Sequence, residues 1–327
     1  MQIIRVGILG AARIAPKAVI DPARDNPEFQ IVAVAARDKG RAEAFASEYG
    51  IPFVADGYSA LITRQDVDLV YVALPHAAHQ EWSIAALKAG KSVLCEKPFA
   101  MNAAGARIMT AAAEEAGLPL IEAFHNRFHR VMRRAVEIIA SGELGKLIEA
   151  EAVFDVEIPY SPTELRWAPA QGGGALMDLG CYCVHALRTI AGCEPTIVSA
   201  DCTIVHGVDE TTVAELRFPS GLRAKMHTSM KSPAFTAPLR IRGEKGVMEI
   251  TNFLAPQIGC RFTVEIDDKC REEPTEGPST YAAQLAHVGD VLLRGAQPLT
   301  GGADAIANMA CIDAIYAAAG YKRPTDG

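Results

Sequence analysis

The sequence lacks several features that would mark a membrane or exported protein. It has no apolar run of the roughly 20 residues that a membrane-spanning helix needs. It also lacks a charged N-terminal segment followed by a long apolar stretch, the pattern of a secretory signal. The 32 Lys and Arg are outnumbered by 39 Asp and Glu, and no basic run occurs. We therefore expect a cytoplasmic protein whose main partner is neither a membrane surface nor a nucleic acid.

Motifs of metal sites and disulfide frameworks are also missing. The eight cysteines form no C-x-x-C pair, and Cys181 and Cys183 are too close together for the usual spacing of metal ligands. Two histidine pairs have spacings that occur in metal sites: His76 with His79, and His125 with His129. Neither pair carries the Glu of an H-E-x-x-H motif, and no third ligand is evident. We expect thiols in a reducing compartment and no metal site.

Length and patterning predict two domains. The chain of 327 residues is about twice a typical domain, and half of its residues are hydrophobic. Over residues 1–122, strands and helices alternate with short connections, which predicts an α/β domain with a parallel sheet. Over 123–327, longer alternating runs predict an α+β domain with an open, mostly antiparallel sheet. Four helices are expected there, near 130–140, 175–190, 281–293 and 303–319. The last of them is free to pack back on the first domain, and residues 268–280 are expected to form an exposed loop.

The turn after the first predicted strand, Ile3–Leu9, is a candidate nucleotide site. It stands where the fingerprint G-x-G-x-x-G/A of a Rossmann fold begins. Its first glycine permits a tight turn, and its small residues let backbone amides approach a pyrophosphate. We predict cofactor contacts from Gly10, Ala11, Ala12, Arg13 and Ile14. A tight turn that binds no nucleotide is the alternative.

The end of the second strand predicts which nicotinamide cofactor is used. NAD sites place a carboxylate at this position, whereas the sequence here has Ala36 and Arg37, with Asp38 one step later. An arginine can pair with the 2′-phosphate of NADP and stack on the adenine. We therefore predict NADP, with NAD still possible, and contacts from Ala36 and Arg37. The alternative is a solvated Arg37, with Asp38 bound to the ribose.

Two more strand ends carry candidate residues. Ligands of open α/β sheets bind beyond the carboxyl ends of the strands. The predicted cofactor contacts at these ends are Leu74, Pro75, His76, His79, Glu96 and Lys97. Beside a carboxylate and a bound cofactor cation, Lys97 can serve as an aimed hydrogen-bond donor. A surface lysine at a strand end is the alternative.

A glycine-rich turn at 172–174 leads into a predicted helix that carries Asp178, Tyr182 and His185. At about 100° per residue, these three side chains fall within about 60° of one another on one face. A carboxylate, a phenol and an imidazole on one stripe of an apolar helix need partners or line a cleft. The stripe therefore predicts a site, and a stripe that faces solvent is the alternative.

These motifs together resemble the glucose-fructose oxidoreductase/inositol dehydrogenase (Gfo/Idh/MocA) family over nearly the whole chain. The matching segments are GILGAARIA at 7–15, LPHAAH at 74–79, CEKP at 95–98, GGGALMDLGCY at 172–182 and YAAQL at 281–285. The resemblance is closest to the NADP-dependent dihydrodiol and sugar dehydrogenase branch. It implies an N-terminal Rossmann domain and a C-terminal domain that binds substrate. Many members form oligomers through the C-terminal sheet, which implies a homodimer or homotetramer here.

The resemblance also implies roles for individual residues. Lys97 and Tyr182 would form the catalytic pair, with Asp178 in support, in a cleft between the two domains. Substrate contacts would come from Arg166, Trp167, His185 and Tyr281. Many members carry His in place of Tyr182 and an acidic residue in place of His185. The implied reaction is hydride transfer between NADP and a secondary alcohol or ketone of a sugar, polyol or cyclic dihydrodiol. Two alternatives stay open, namely a relative that cleaves glycosides with bound NAD(H) and a non-catalytic NADP sensor.

Overall fold

The computed structural model describes residues 2–323, which divide into two compact units. The first unit contains the chain up to Phe124 together with Tyr281–Ile306. The second contains His125–Thr280 and the chain from Ala307 onward. Each unit is built around a β-sheet of its own.

The first unit is a doubly wound α/β fold. Its strands are β1 Ile4–Leu9, β2 Phe29–Ala35, β3 Phe53–Val54, β4 Leu69–Val72, β5 Ser92–Cys95 and β6 Leu120–Glu122. Its connecting helices are α1 Asp21–Arg24, α2 Lys39–Tyr49, α3 Tyr58–Ile62, α4 His79–Lys88 and α5 Ala103–Ala116, with a π-helical turn at Pro16–Ile20 and a 3-10 turn at His76–Ala78. The strands run parallel in the order β3-β2-β1-β4-β5-β6. This is a Rossmann arrangement, and it confirms the predicted fold class.

Burial and capping explain these elements. Strands β4 and β5 are buried along their whole length, as parallel strands are when helices cover both faces of a sheet. Asp38 caps α2 by accepting a hydrogen bond from the Arg41 N–H, and Gly50 ends that helix in the left-handed conformation. Asn102 and Gly117 play the same two parts for α5.

A helix from late in the sequence completes the first unit. Helix α8 spans Thr280–Arg294, and its Leu285, Val288 and Val291 belong to the same apolar core as β1 and β2. The prediction assigned all of 123–327 to the second domain and allowed the helix at 303–319 to return to the first. The structure instead groups 281–306 with the first unit and most of the last helix with the second. A helical sequence pattern shows which face of a helix is apolar, but it does not show against which of the two units that face packs.

The second unit contains a nine-stranded sheet. Its strands are β7 Leu147–Glu157, β8 Thr196–Val205, β9 Val208–Arg217, β10 Arg223–Ser229, β11 Lys231–Thr236, β12 Leu239–Gly243, β13 Gly246–Ile250, β14 Phe262–Ile266 and β15 Lys269–Glu272. The order is β15-β14-β13-β12-β7-β10-β9-β8, and β11 pairs with β7 beside this path. Strands β7 and β10 run parallel, and the other neighbours run antiparallel. The predicted mostly antiparallel sheet is thereby confirmed.

The second unit also contains helices. They are α6 Arg130–Ala140, α7 Cys181–Ala191 and most of α9 Gly302–Ala318, accompanied by 3-10 turns at His125–Phe128, Leu165–Trp167, Pro169–Gln171 and Pro256–Ile258 and by a π-helical turn at Leu176–Gly180. Helix α7 packs on β7 and β10. Alternate residues of β10 such as Met226 are buried, while Arg223 and Lys225 are exposed on the opposite, open face.

Several short elements were not predicted. The expected loop at 268–280 contains β15, which pairs with β14 through a polar and largely exposed sequence. Strands β3, β11 and β14 and helix α3 were also missed, because segments of two to six residues carry too little periodicity to stand out. No helix within residues 2–323 is long and apolar enough to cross a membrane.

Candidate active site

The turn after β1 leaves room only for main chain. Gly10 has a φ of 103°, and a Cβ at this residue would lie 2.4 Å from the Ala73 oxygen. The Gly10 N–H donates to the Ala35 oxygen at 2.8 Å, which ties the turn to the end of β2. Ala15 is fully buried, and its N–H donates to the Ala12 oxygen at 3.1 Å. The turn thus has the small residues that a pyrophosphate site requires, at the carboxyl end of β1.

Two arginines flank this turn. Arg37 is exposed and pairs with no carboxylate in the described part of the chain. Arg41 donates from Nη2 to the Ala11 oxygen at 3.3 Å, so its guanidinium reaches the turn itself. The Asp38 carboxylate caps helix α2, because its Oδ1 accepts a hydrogen bond from the Arg41 N–H at 2.8 Å. An unpaired guanidinium at this strand end suits a phosphate group on the ribose. Arg41 was not predicted, although its position four residues after Arg37 was visible in the sequence.

His79 joins the loops that follow β4 and β5. Its Nε2 lies 2.9 Å from the Leu74 oxygen, and its Nδ1 lies 3.0 Å from the Pro98 oxygen. The ring is fully buried, and burial lowers its pKa to about 4. Contact with a cofactor was predicted for His79, but both of its ring nitrogens face main-chain oxygens. Its effect on a cofactor would therefore act through the two loops, and contacts from Leu74, Pro75 and His76 stay predictions.

Lys97 lies two residues after the end of β5 and is half-buried. The neighbouring Glu96 accepts the Tyr71 hydroxyl at 2.6 Å and the Lys97 N–H at 3.3 Å. Tyr281, at the start of α8, lies close to the same carboxylate. Burial, together with the charge of Glu96, raises the pKa of its phenol. The predicted residues Glu96, Lys97 and Tyr281 therefore all belong to the first unit.

In the second unit, a buried carboxylate fixes the glycine-rich turn. Gly174 has a φ of 126°, and a Cβ there would lie 2.1 Å from Oδ1 of Asp209. Asp209 is fully buried and accepts three hydrogen bonds of 2.7 Å, from the Leu176 N–H, the Thr212 hydroxyl and the Tyr316 hydroxyl. These bonds anchor the start of the segment that carries three of the predicted site residues. Asp209 was not predicted, because a lone acidic residue in a strand gives no local signal.

Asp178 lies in the π-helical turn before α7 and is 5% exposed. Its Oδ2 accepts from Arg166 Nε at 2.5 Å, and Arg166 Nη1 donates to Glu164 at 3.1 Å. The charge of Asp178 raises the pKa of Arg166. Because the wider turn precedes Tyr182, the uniform angular spacing assumed for Asp178 and Tyr182 is wrong. Turns of this kind occur frequently at functional sites.

Aromatic rings enclose Tyr182. It is 5% exposed, and the His125 and Phe154 rings meet it edge to face with centroids 5.5 Å and 5.9 Å away. His125 Nδ1 lies 2.8 Å from the Thr280 hydroxyl. The sequence analysis considered His125 only as a metal ligand, and its packing against Tyr182 gave no signal in the sequence. Within residues 2–323, no group of three His, Cys, Asp or Glu could hold a metal ion.

Two predicted substrate residues of the second unit are buried. His185 is 2% exposed, and Trp167 is 6% exposed. The Trp167 indole N–H donates to the Ile158 oxygen at 2.9 Å, and its ring packs in an apolar cluster with Leu179 and Met230. Trp167 therefore stabilises the loop that carries Arg166. Direct substrate contact by His185 or Trp167 stays a prediction.

Sequence comparison identifies the family. A profile described as "Oxidoreductase family, NAD-binding Rossmann fold" matches residues 4–124, and one described as "GFO/IDH/MocA C-terminal domain" matches residues 132–249. The chain belongs to the Gfo/Idh/MocA family. The predicted resemblance is confirmed, as is the class of NAD(P)-dependent oxidoreductase.

Relatives of this Gfo/Idh/MocA chain act on sugars and diols. It is 34% identical over 317 residues to D-xylose 1-dehydrogenase (NADP(+)) 2 of Haloferax volcanii, covering 96% of both chains. It is 37% identical over 256 residues to trans-1,2-dihydrobenzene-1,2-diol dehydrogenase of Mus musculus, covering 77% of this chain and 76% of that one.

Two solved structures share the fold over almost the whole chain. The aldose-aldose oxidoreductase of Caulobacter crescentus, complexed with glycerol, has a TM-score of 0.90 at 28% identity. A 3-ketoreductase of Actinomadura kijaniata, in complex with NADP, has a TM-score of 0.88 at 28% identity. Each comparison covers 97% of this chain and 98% of the other.

Proposed function

We propose that this protein is an NADP-dependent oxidoreductase. It transfers a hydride between the nicotinamide and a secondary alcohol or ketone of a sugar, polyol or cyclic dihydrodiol. The observation that carries the proposal is Arg37, which pairs with no carboxylate within residues 2–323 and follows the strand beside the Rossmann turn. A dinucleotide with a phosphate on its ribose would bind both features. The xylose and dihydrodiol dehydrogenases among the relatives support the substrate class.

The first unit would hold the cofactor. The turn from Gly10 to Ile14 meets the pyrophosphate, because a glycine without a Cβ permits close approach of the backbone. Arg37 pairs with the 2′-phosphate, and Arg41 adds a second positive charge near the turn. His79 holds the loops after β4 and β5, which flank the nicotinamide half.

Side chains of the protein remove the proton of the substrate hydroxyl. NADP, when bound, supplies the hydride acceptor at C4 of the nicotinamide. Tyr182 takes the proton of the substrate hydroxyl as general base. A tyrosine ordinarily titrates near ~10, so proton removal at neutral pH needs a nearby cation that favours the phenolate. Lys97 is that cation, and it donates a hydrogen bond to the substrate oxygen as negative charge develops. Asp178, held by Arg166, orients these groups.

A substrate panel tests the proposal. Purified protein is mixed with NADP and, separately, with aldoses, inositols and cyclic diols, and NADPH formation is followed by absorbance. We expect steady NADPH accumulation with at least one substrate and none with the Tyr182→Phe protein, which should bind NADP normally. Glycoside cleavage without net NADPH would instead support the glycosidase-like alternative. Binding of NADP with no turnover on any substrate would support the sensor.

We also propose that the protein is a cytoplasmic homodimer or homotetramer joined through the open face of the second sheet. Val213 and Val198 are 40% and 53% exposed on β9 and β8, beside charged rows such as Arg223 with Glu149 at 2.6 Å. A second copy would cover these apolar groups. In light scattering, Val213→Glu should lower the mass, whereas Ile258→Glu, at a residue outside this sheet that is 70% exposed, should not. A monomeric wild-type protein at micromolar concentration would contradict the proposal.

A further inference from the structure

His125 is held by a short chain of hydrogen bonds within the second unit. The residue stands at the start of a 3-10 turn and is 7% exposed. Its Nδ1 lies 2.8 Å from Oγ1 of Thr280, a fully buried residue. The same hydroxyl oxygen lies 3.3 Å from Nε2 of Gln257.

These bonds determine which nitrogen of His125 carries its proton. Gln257 Oε1 accepts the Thr280 N–H at 3.4 Å, which fixes the orientation of the amide. The amide nitrogen can only donate, so the Thr280 hydroxyl oxygen accepts from it. Among residues 2–323, the one acceptor bonded to this buried hydroxyl is His125 Nδ1. Nδ1 therefore accepts a hydrogen bond from the Thr280 hydroxyl, and His125 carries its own proton on Nε2.

The same imidazole ring packs against Tyr182. The two ring centroids are 5.5 Å apart, and the ring planes are inclined by 65°. Resting on the proposed role of Tyr182 as general base, we propose that His125 is a positioning residue for that phenol. The Thr280 hydroxyl keeps His125 in the neutral Nε2–H form, and in this form the ring holds the phenol in the orientation that proton transfer needs.

The physical reason is the cost of an unpaired buried hydroxyl. Protonation of Nδ1 would place an N–H against the Thr280 O–H and would remove the hydroxyl's acceptor. The hydrogen bonds that run from Gln257 through Thr280 to His125 therefore oppose the Nδ1–H tautomer.

Substitutions at Thr280 test this arrangement without touching either ring. Thr280→Val keeps the volume but removes the hydroxyl, and Thr280→Ser keeps the hydroxyl. Thr110→Val is the matched control, because Thr110 is a buried threonine whose hydroxyl has no hydrogen-bond partner among the described residues. For each protein, kcat is measured across pH, and the histidine tautomers are determined from two-bond ¹H–¹⁵N spectra. The His125→Asn protein identifies the His125 signal by its loss.

We expect the wild-type spectrum to show His125 as the Nε2–H tautomer. Thr280→Val should lower kcat about threefold to tenfold, the equivalent of one hydrogen bond, and should populate the Nδ1–H tautomer of His125. Thr280→Ser should restore both properties, and Thr110→Val should match wild type. A wild-type His125 with its proton on Nδ1, or an unchanged His125 tautomer and kcat in Thr280→Val, would overturn the inference. The spectra do not depend on turnover. The tautomer of His125 therefore tests this inference even if the proposed function is wrong.

Discussion

Acidification should loosen the first unit through His79. The ring is fully buried, and burial lowers its folded-state pKa to about 4 from the ordinary 6.5, which outweighs the opposite effect of the two main-chain oxygens that face its nitrogens. Between these values the unfolded chain binds a proton that the folded chain does not. Stability therefore rises with pH across this window, and it is lost as the pH falls from about 6.5 to about 4.

The two pKa values set the size of the effect. With about 6.5 in the unfolded chain and about 4 in the folded one, His79 accounts for about 1.8 kcal/mol of stability lost between pH 7 and pH 5. Because the group is fully buried, solvent screening does not reduce this figure. The loops after β4 and β5 should open together, so NADP affinity should fall over the same pH range.

Urea unfolding at pH 7 and pH 5 measures this loss. The His79→Gln protein keeps a polar amide but cannot ionise, so its loss should be smaller than that of wild type by about 1.8 kcal/mol. His227→Gln is the control, because the stability that His227 contributes changes with pH in the opposite direction. Asp155, at 2.9 Å, raises the pKa of His227, so this histidine contributes stability at low pH that is lost as the pH rises. Equal losses in wild type and His79→Gln would refute the reasoning.

Two further substitutions test the cofactor and substrate sides separately. Arg37→Asp should weaken NADP binding about 10- to 150-fold and relatively favour NAD, because it removes a charge-assisted phosphate contact; an unchanged preference in a fluorescence titration would show that Arg37 is not the phosphate ligand. Gly174→Ala should cost more than the ~1 kcal/mol expected at Gly192→Ala, because both glycines have positive φ but only Gly174 also faces the Asp209 carboxylate. Equal free energies of unfolding in urea for these two proteins would show that the Asp209 carboxylate can move away from the added Cβ without cost.

The sequence predicted the first unit well because its signals are local. The strand followed by Gly10, and the strands and helices that alternate with short connections, each depend on a few neighbouring residues. Helix α6 occupies Arg130–Ala140, the range that its pattern predicts. The packing of α8 was not predictable in this way, because the core that it shares with β1 combines residues nearly 300 positions apart in the sequence.

The same distinction holds for the candidate site. Residues within a motif, such as Lys97 and Tyr182, could be selected from spacing and resemblance. Asp209 and Thr280 could not, because each acts through hydrogen bonds to residues distant in sequence. The π-helical turn before Tyr182 was also hidden, since a hydrophobic pattern does not show one extra residue in a turn.

The most direct test of the account is a double-mutant cycle on Lys97 and Tyr182. NADPH formation is measured for wild type, Lys97→Met, Tyr182→Phe and the double mutant, with NADP affinity determined separately for each. If the two residues form one proton-transfer unit, each single change should lower kcat about 10²- to 10⁴-fold, and the double mutant should be little worse than the poorer single mutant. Fully additive losses, or near-normal turnover in Tyr182→Phe, would contradict the account.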